Sequence, residues 1–220
     1  SGREFAVLIF SGRPLALENV IEDIPALLWC WYPGTCGGRA AARLLAGECS
    51  PSGKLTMSFP RVTGQTPVYY NECRCGRPAG ESAYSNRYQD CEAGPLFPFG
   101  YGLSYGQIRY GDFVLSSTTF QQGETVTASV DLWNDGEYLL KETVLLFMED
   151  PVSGLVRPER ELLKYRKVTL GPGEQVRVAF EITPEDLKYL DHHLNRVLEP
   201  GIINLYLNDA KTPAGSLTYI

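Results

Sequence analysis

Val126-Thr127-Ala128-Ser129-Val130-Asp131-Leu132 decides the fold class of the larger part of this chain. Apolar and polar side chains alternate through the stretch, which is the period of a β-strand with one face buried and one face solvated. Val176-Arg177-Val178-Ala179-Phe180-Glu181-Ile182 repeats the pattern. Working outward, the candidate strands are Ile108 to Leu115, Thr125 to Asn134, Thr143 to Asp150, Arg160 to Leu170, Gln175 to Ile182 and Gly201 to Leu207. Gln122-Gly123-Glu124, Asn134-Asp135-Gly136, Asp150-Pro151 with Ser153-Gly154, and Gly171-Pro172-Gly173-Glu174 are turn signals between them. Strands at this spacing over about 115 residues predict an antiparallel sandwich. One helical insertion interrupts it: Thr183 and Asp186 fit a capping box, with Pro184 at the first helical position.

The first sixty residues read differently. Phe5 to Phe10 and Ala26 to Trp31 are continuous apolar runs of strand length, the signature of parallel strands buried on both faces. Leu15 to Ile21 has room for one or two helical turns. Gly37-Gly38 opens a run of strong helix formers, Arg39 to Ala46, that closes at Gly47. Two parallel strands and a helix do not close a core, so this segment is expected to need further partners. An apolar strand beginning at Phe5, without an initiating Met, fits a piece of a longer protein. Between the two parts, Ser50 to about Tyr105 is rich in Pro, Gly, Tyr and Asn without a sustained period, as expected of an interdomain belt. The division predicted is 1–60 for the end of an α/β domain, 61–104 for the belt and 105–220 for the sandwich.

Composition removes several function classes. The 20 basic and 26 acidic residues leave a net charge of −6, which gives no electrostatic footprint for nucleic acid or an anionic membrane surface. No apolar run reaches the roughly 18 to 20 residues that span a bilayer, and Ser1-Gly2-Arg3-Glu4 lacks the form of a signal peptide. The cysteines at 30, 36, 49, 73, 75 and 91 form no CxxC pair and have no neighbouring histidine, so neither a zinc site nor any other cofactor is expected. Cys30 reads as a small buried hydrophobe, and Cys73 and Cys91 bracket a loop and could pair in an exported chain. Reduced thiols in a cytoplasmic protein are the default reading.

Short motifs offer reactive readings that their surroundings weaken. Gly102-Leu103-Ser104-Tyr105-Gly106 matches a nucleophile elbow, with His192 and His193 downstream in triad order. An elbow needs a buried strand before its Ser and a helix after it, whereas Pro98 and Gly100 precede Ser104 and a strand begins at Ile108. The histidines lie in a polar turn. Gly34-Thr35-Cys36-Gly37-Gly38 could seat an anion at a helix N-terminus, but tight packing of the helix onto the sheet explains the glycines more simply. Glu159 with Glu161, and Glu185 with Asp186, are carboxylates beside turns and nominate no catalytic dyad.

Read together, the motifs resemble a known family. Val7-Leu8-Ile9-Phe10-Ser11-Gly12-Arg13-Pro14-Leu15, Trp31-Tyr32-Pro33-Gly34 with Gly37-Gly38, and Pro51-Ser52-Gly53-Lys54-Leu55 with Ser58-Phe59-Pro60 are similar to the end of the second domain of family 3 glycoside hydrolases, the β-glucosidase and β-xylosidase type. Pro67-Val68-Tyr69-Tyr70-Asn71, Pro95 to Tyr105, Arg157-Pro158 with Glu161-Leu162, and Val197-Leu198-Glu199-Pro200-Gly201 resemble that family's linker and fibronectin type III-like domain. The chain departs from the family at Thr35 and Cys36, where Gln-Glu is common.

The resemblance implies an α/β fragment followed by a fibronectin type III-like antiparallel sandwich. It also implies the carboxy-terminal part of a retaining hydrolase of β-linked glycosides, whose Asp nucleophile and Glu acid/base lie outside this chain. No catalytic or metal residue is therefore assigned here. The partners implied are a (β/α)8 barrel, the remainder of the α/β domain and a β-linked glycoside; a homodimer is left open. Within the belt from Cys73 to Glu92, which also holds Asn86 and Tyr88, Arg77 and Tyr84 are the substrate-binding candidates, set against an interdomain packing loop. The competing reading is a free-standing binding module, which needs an exposed aromatic platform; Trp133, Phe147, Tyr165 and Phe180 instead sit in strand patterns of core type.

Overall fold

The computed structural model describes residues 4–73, 75–77, 80, 84–86 and 88–220. Residues Ser1 to Arg3 of the chain start, and parts of the belt from Cys73 to Glu92, lie outside the described residues. The chain divides into two compact units. The first holds the described residues of Ser1–Pro51, Leu55–Tyr70 and Arg77–Tyr101, and the second those of Ser52–Lys54, Asn71–Gly76 and Gly102–Ile220. Described residues of the stretch 61–104 fall in both units.

In the first unit, β1 (Val7–Ile9) and β2 (Leu27–Trp29) pair in parallel, Val7 against Leu27 and Ile9 against Trp29. Both strands are shorter than the apolar runs predict, and all their residues are half-buried rather than buried on both faces. The helical turn expected over 15–21 falls at Ile21–Asp23. Helix α1 (Gly37–Leu45) starts two residues before Arg39 and is capped by Ala46, and Gly47 just beyond has a φ of +72°, the left-handed conformation glycine adopts without strain. Cys30 is half-buried, not enclosed, and what burial it has pushes its thiol pKa up. The buried centre of this unit is Phe59, whose ring meets Trp29 edge-on at 4.6 Å and lies 6.3 Å from Phe97. Phe59 N–H donates to Phe97 O and Leu96 N–H to Phe59 O, both at 2.8 Å, so aromatic packing and backbone bonds join the two ends of the belt.

The second unit is a sandwich. A three-stranded sheet runs β3 (Ile108–Leu115), β5 (Val126–Asn134) and β8 (Gln175–Ile182), all antiparallel. Facing it is a five-stranded sheet in the order β4 (Thr119–Phe120), β12 (Gly215–Tyr219), β11 (Gly201–Leu207), β6 (Leu140–Glu149) and β7 (Glu161–Leu170). Its pairs are antiparallel except β4 with β12. Ala128, Val130 and Leu132 from one sheet and Val144, Leu146 and Leu205 from the other fill the shared core. β9 (Tyr189–Leu190) and β10 (Arg196–Val197) form a small hairpin, preceded by α2 (Pro184–Leu187). At the start of α2, the Asp186 carboxylate accepts the Thr183 N–H at 2.9 Å and its hydroxyl at 2.8 Å.

The core reading of the four sandwich aromatics holds for Phe147 and Phe180 and fails for the other two. Tyr165 is 66% exposed. Trp133 alternates with buried Leu132 and Asn134 and so points outward. The strand pattern is read as core type, but a period of two from Val126 assigns Trp133 to the opposite face.

Candidate functional site

Several family-type motifs prove to be structural. Lys54 Nζ lies 3.2 Å from Glu142 Oε1 and donates to Gly102 O at 3.0 Å, while Tyr110 Oη donates to the same carboxylate at 3.1 Å. Burial first, and then the Glu142 charge, push the Tyr110 pKa far above its ordinary value, so the phenol stays a proton donor. A side chain on Gly102 would come within 2.6 Å of Gly53 O, which is why glycine stands there. Buried Arg157 is held by Asp150 at 3.1 Å and Glu161 at 2.5 Å, with its guanidinium 5.0 Å from the Tyr189 ring centroid. Glu199 accepts from Tyr189 Oη at 2.6 Å and from Gly154 N–H at 2.7 Å; these bonds hold its carboxyl below the usual range.

The reactive alternatives lack the geometry they need. Ser104 Oγ donates to Gly106 O at 2.6 Å in irregular chain, and β3 rather than a helix follows. His192 and His193 occupy the exposed turn of the β9–β10 hairpin, where Asp191 N–H bonds to Asn195 O. Gly37 is crowded, but by Pro33 of the preceding turn at 2.4 Å from an added Cβ, while Gly38 has open space. Among the described residues no group of three or more His, Cys, Asp or Glu could hold a metal, and no disulfide joins the cysteines.

The belt carries the remaining candidates. Arg77 is exposed, and its carbonyl accepts the Asn86 N–H at 2.9 Å. Tyr84 is 80% exposed and lies two residues before Asn86. Ser85 Oγ donates to Gly80 O at 2.8 Å, and Arg61 pairs with Glu92 at 3.0 Å. An open groove of about 700 Å³ runs along Gly80, Tyr88 and residues 89–93. Neither Arg77 nor Tyr84 lines it. The structure therefore leaves both candidates exposed, and neither lines the groove. Two other groups escaped the sequence reading: the Phe59 aromatic cluster, which motif spacing alone does not reveal, and outward-facing Trp133, which the parity of β5 does.

Residues 1–105 match the glycosyl hydrolase family 3 C-terminal domain, and residues 142–210 a fibronectin type III-like domain. Among known proteins, a periplasmic β-glucosidase of Salmonella typhimurium is 39% identical over 98% of this chain, and a β-xylosidase of Formosa agariphila is 37% identical over 93% of it. A β-glucosidase from Listeria innocua, solved as the D270A mutant in complex with laminaribiose, superposes over 100% of this chain with a TM-score of 0.91 and 36% identity. The chain spans 29%, 28% and 31% of the lengths of these three proteins, in the same order.

Proposed function

Because this chain belongs to glycoside hydrolase family 3, as its carboxy-terminal portion, we propose that it works as the supporting part of a longer retaining β-glycoside hydrolase of β-glucosidase type. A (β/α)8 barrel and the rest of the α/β domain would supply the nucleophile and the acid/base, which in retaining chemistry stand about 5 to 5.5 Å apart across one sugar. The role of this chain is then positional, and a displacement of about 1 Å can cost on the order of a hundredfold in rate. One observation carries the reading: every residue of β1 and β2 is half-buried, although a parallel sheet is ordinarily covered on both faces. To test it, the chain and the remainder of its enzyme are expressed as separate fragments, mixed, and assayed for release of an aryl β-glucoside chromophore. Restored turnover supports the reading; neither complex nor turnover sinks it.

The proposal extends to residues and compartment. Arg77 and Tyr84 contribute to outer sugar subsites, supported by their exposure and by the Asn86 N–H bond to the Arg77 carbonyl. Alanine at either should raise KM about tenfold with kcat within about twofold, a loss of ~1.4 kcal/mol in binding. An unchanged KM returns the loop to a packing role. The domain limits 1–60, 61–104 and 105–220 remain our functional division. No helix of the described residues is long and apolar enough to cross a membrane. A reducing cytoplasm is our reading of the six thiols, and titration of the native protein with a thiol reagent tests it against the periplasmic setting that the Salmonella relative's name carries. Sedimentation of the native enzyme decides between a monomer and the homodimer left open above.

A further inference from the structure

Trp133 does not sit on the sandwich as an incidental surface residue. β3 carries a bulge between Tyr110 and Phe113, and the two residues at that irregularity are Gly111 and Asp112. A Cβ on Gly111 would lie 2.8 Å from Trp133 Cζ3 and 2.9 Å from Cη2, so the six-membered ring reaches across to the bare backbone of the neighbouring strand. Bulges re-aim side chains, and here one coincides with the residue type that leaves room for an indole. Above the ring, the Arg109 guanidinium lies 4.3 Å from its centroid and bonds Asp135 twice, at 2.7 and 3.2 Å. In the adjoining row, Asp131 faces Arg177 across β5 and β8, and their two bonds measure 2.8 and 2.6 Å.

We propose that this outward face of the β3-β5-β8 sheet is a surface that binds a β-linked glycan chain, with Trp133 as its stacking platform and Arg109 as a displaceable cover. β-linked pyranoses present an apolar C–H face that suits an indole ring, and a rim of equatorial hydroxyls that suits planar groups offering paired donors or acceptors. The face supplies both kinds of group side by side. Arg109 pairs with Asp135 and Arg177 with Asp131, while Asp112 of β3 and Glu181 of β8 add exposed carboxylates, so the face carries no excess of positive charge and gives a polyanion nothing to grip. Ser129 and Ala179, paired across the strands, keep the surface beside the ion pairs low. Three strands at about 4.8 Å spacing make the row Arg109, Trp133, Gln175 roughly 10 Å wide, room for more than one sugar ring. A protein partner would ask for about 1,000 Å² of contact with an apolar centre, and this face is instead dominated by paired charges. The Arg109–Asp135 pair is exposed on both sides, 55% and 59%, so moving the guanidinium aside costs little.

The β-linkage rests on the proposed function, whereas sugar stacking does not. The full chain is run through native gels containing mixed-linkage β-glucan, starch or no polysaccharide, and titrated with a β-glucan hexasaccharide while tryptophan emission is followed. Expected are retardation in the β-glucan gel and a loss of about tenfold in affinity for Trp133→Ala. Arg109→Ala should bind equally well or about threefold tighter, because it uncovers the ring; weaker binding overturns its role as a cover. If Trp133→Ala loses the native circular dichroism spectrum, the double variant Asp131→Asn with Arg177→Gln takes its place and should bind about tenfold less tightly. Absence of retardation in the β-glucan gel, or variants that bind like the parent, overturns the proposal. Retardation requires no turnover, so its failure is separate from any failure of the hydrolase reading.

Discussion

The two units solve the burial problem to very different degrees. The sandwich closes on itself: Leu132, Val144, Leu146, Leu170, Ile182, Leu205 and Leu217 have no exposed surface. Among its described residues the α/β unit has Phe59 at its centre and little else, with Leu17, Ala41 and Pro60 also buried, while Phe5, Phe10, Val20, Leu45 and Met57 are about half exposed. Alternating strands carry their own partner surfaces, because each sheet covers the other. A parallel pair with one helix lacks a second layer, and its continuous apolar runs need a cover that the unit does not supply. Independence in the first case and dependence in the second both follow from the strand pattern.

That contrast can be broken by mutation. Phe180→Ala should cost about 3 to 5 kcal/mol, by the loss of a fully buried ring and the cavity left behind, and urea denaturation reads it directly. Phe59→Ala serves as the control: if it lowers the sandwich's own transition as much as Phe180→Ala does, the units are not separate in stability. Asn134→Ala should cost about 2 kcal/mol, since the carbonyls of Tyr138, Leu170 and Gly171 would each lose a donor.

A smaller effect is expected at α2, where Asp186→Ala should cost about 1 kcal/mol. Burial pushes the Asp186 carboxyl up, but the Thr183 N–H and hydroxyl and the Lys164 ammonium together bring it below its ordinary value. The depressed folded-state value means that this contribution is present above the unfolded carboxylate pKa, near 3.9, and is lost as pH falls through the lower folded one. Parent and variant melting temperatures should therefore converge under acid conditions. The smallest effect belongs to Arg43 of α1 and Glu48 just beyond the helix, an exposed ion pair 2.9 Å apart; Glu48→Gln should change stability by less than about 0.5 kcal/mol.

The strands that sequence located best are those with a strict alternation or hard turn residues at both ends. Ile108–Leu115, Gln175–Ile182 and Gly201–Leu207 match residue for residue. β12 escaped because Gly215-Ser216-Leu217-Thr218-Tyr219 buries Leu217 alone and offers too little period to recognise. β6 begins earlier than Thr143 because Leu140 is buried beyond two polar residues that interrupt the apolar run. The site was less legible. Arg77 and Tyr84 emerged from residue chemistry in a loop, a signal that says what a side chain could bind but not what surrounds it. Trp133 was legible in principle, since counting by twos along β5 turns it outward; its seat on Gly111 was not, because a bulge in one strand within reach of a tryptophan on the next is visible only in three dimensions.

Asn134 ends β5 in the three-stranded sheet, yet its side-chain amide bonds the carbonyl of Leu170, the last residue of β7 in the five-stranded sheet. Its backbone N–H and C=O are also engaged, with Glu174 O and Gly173 N–H, so the residue staples the turn leaving β7 to the far sheet. The consequence concerns how the sandwich opens. Sub-global fluctuations that part the sheets must leave this corner until last, and begin where β4 contributes only two residues at the end of the five-stranded sheet. Amide hydrogen exchange would then show a gradient across the domain, slowest at Asn134 and Gly173 and fastest along β4, as a door moves most at the edge farthest from its hinge.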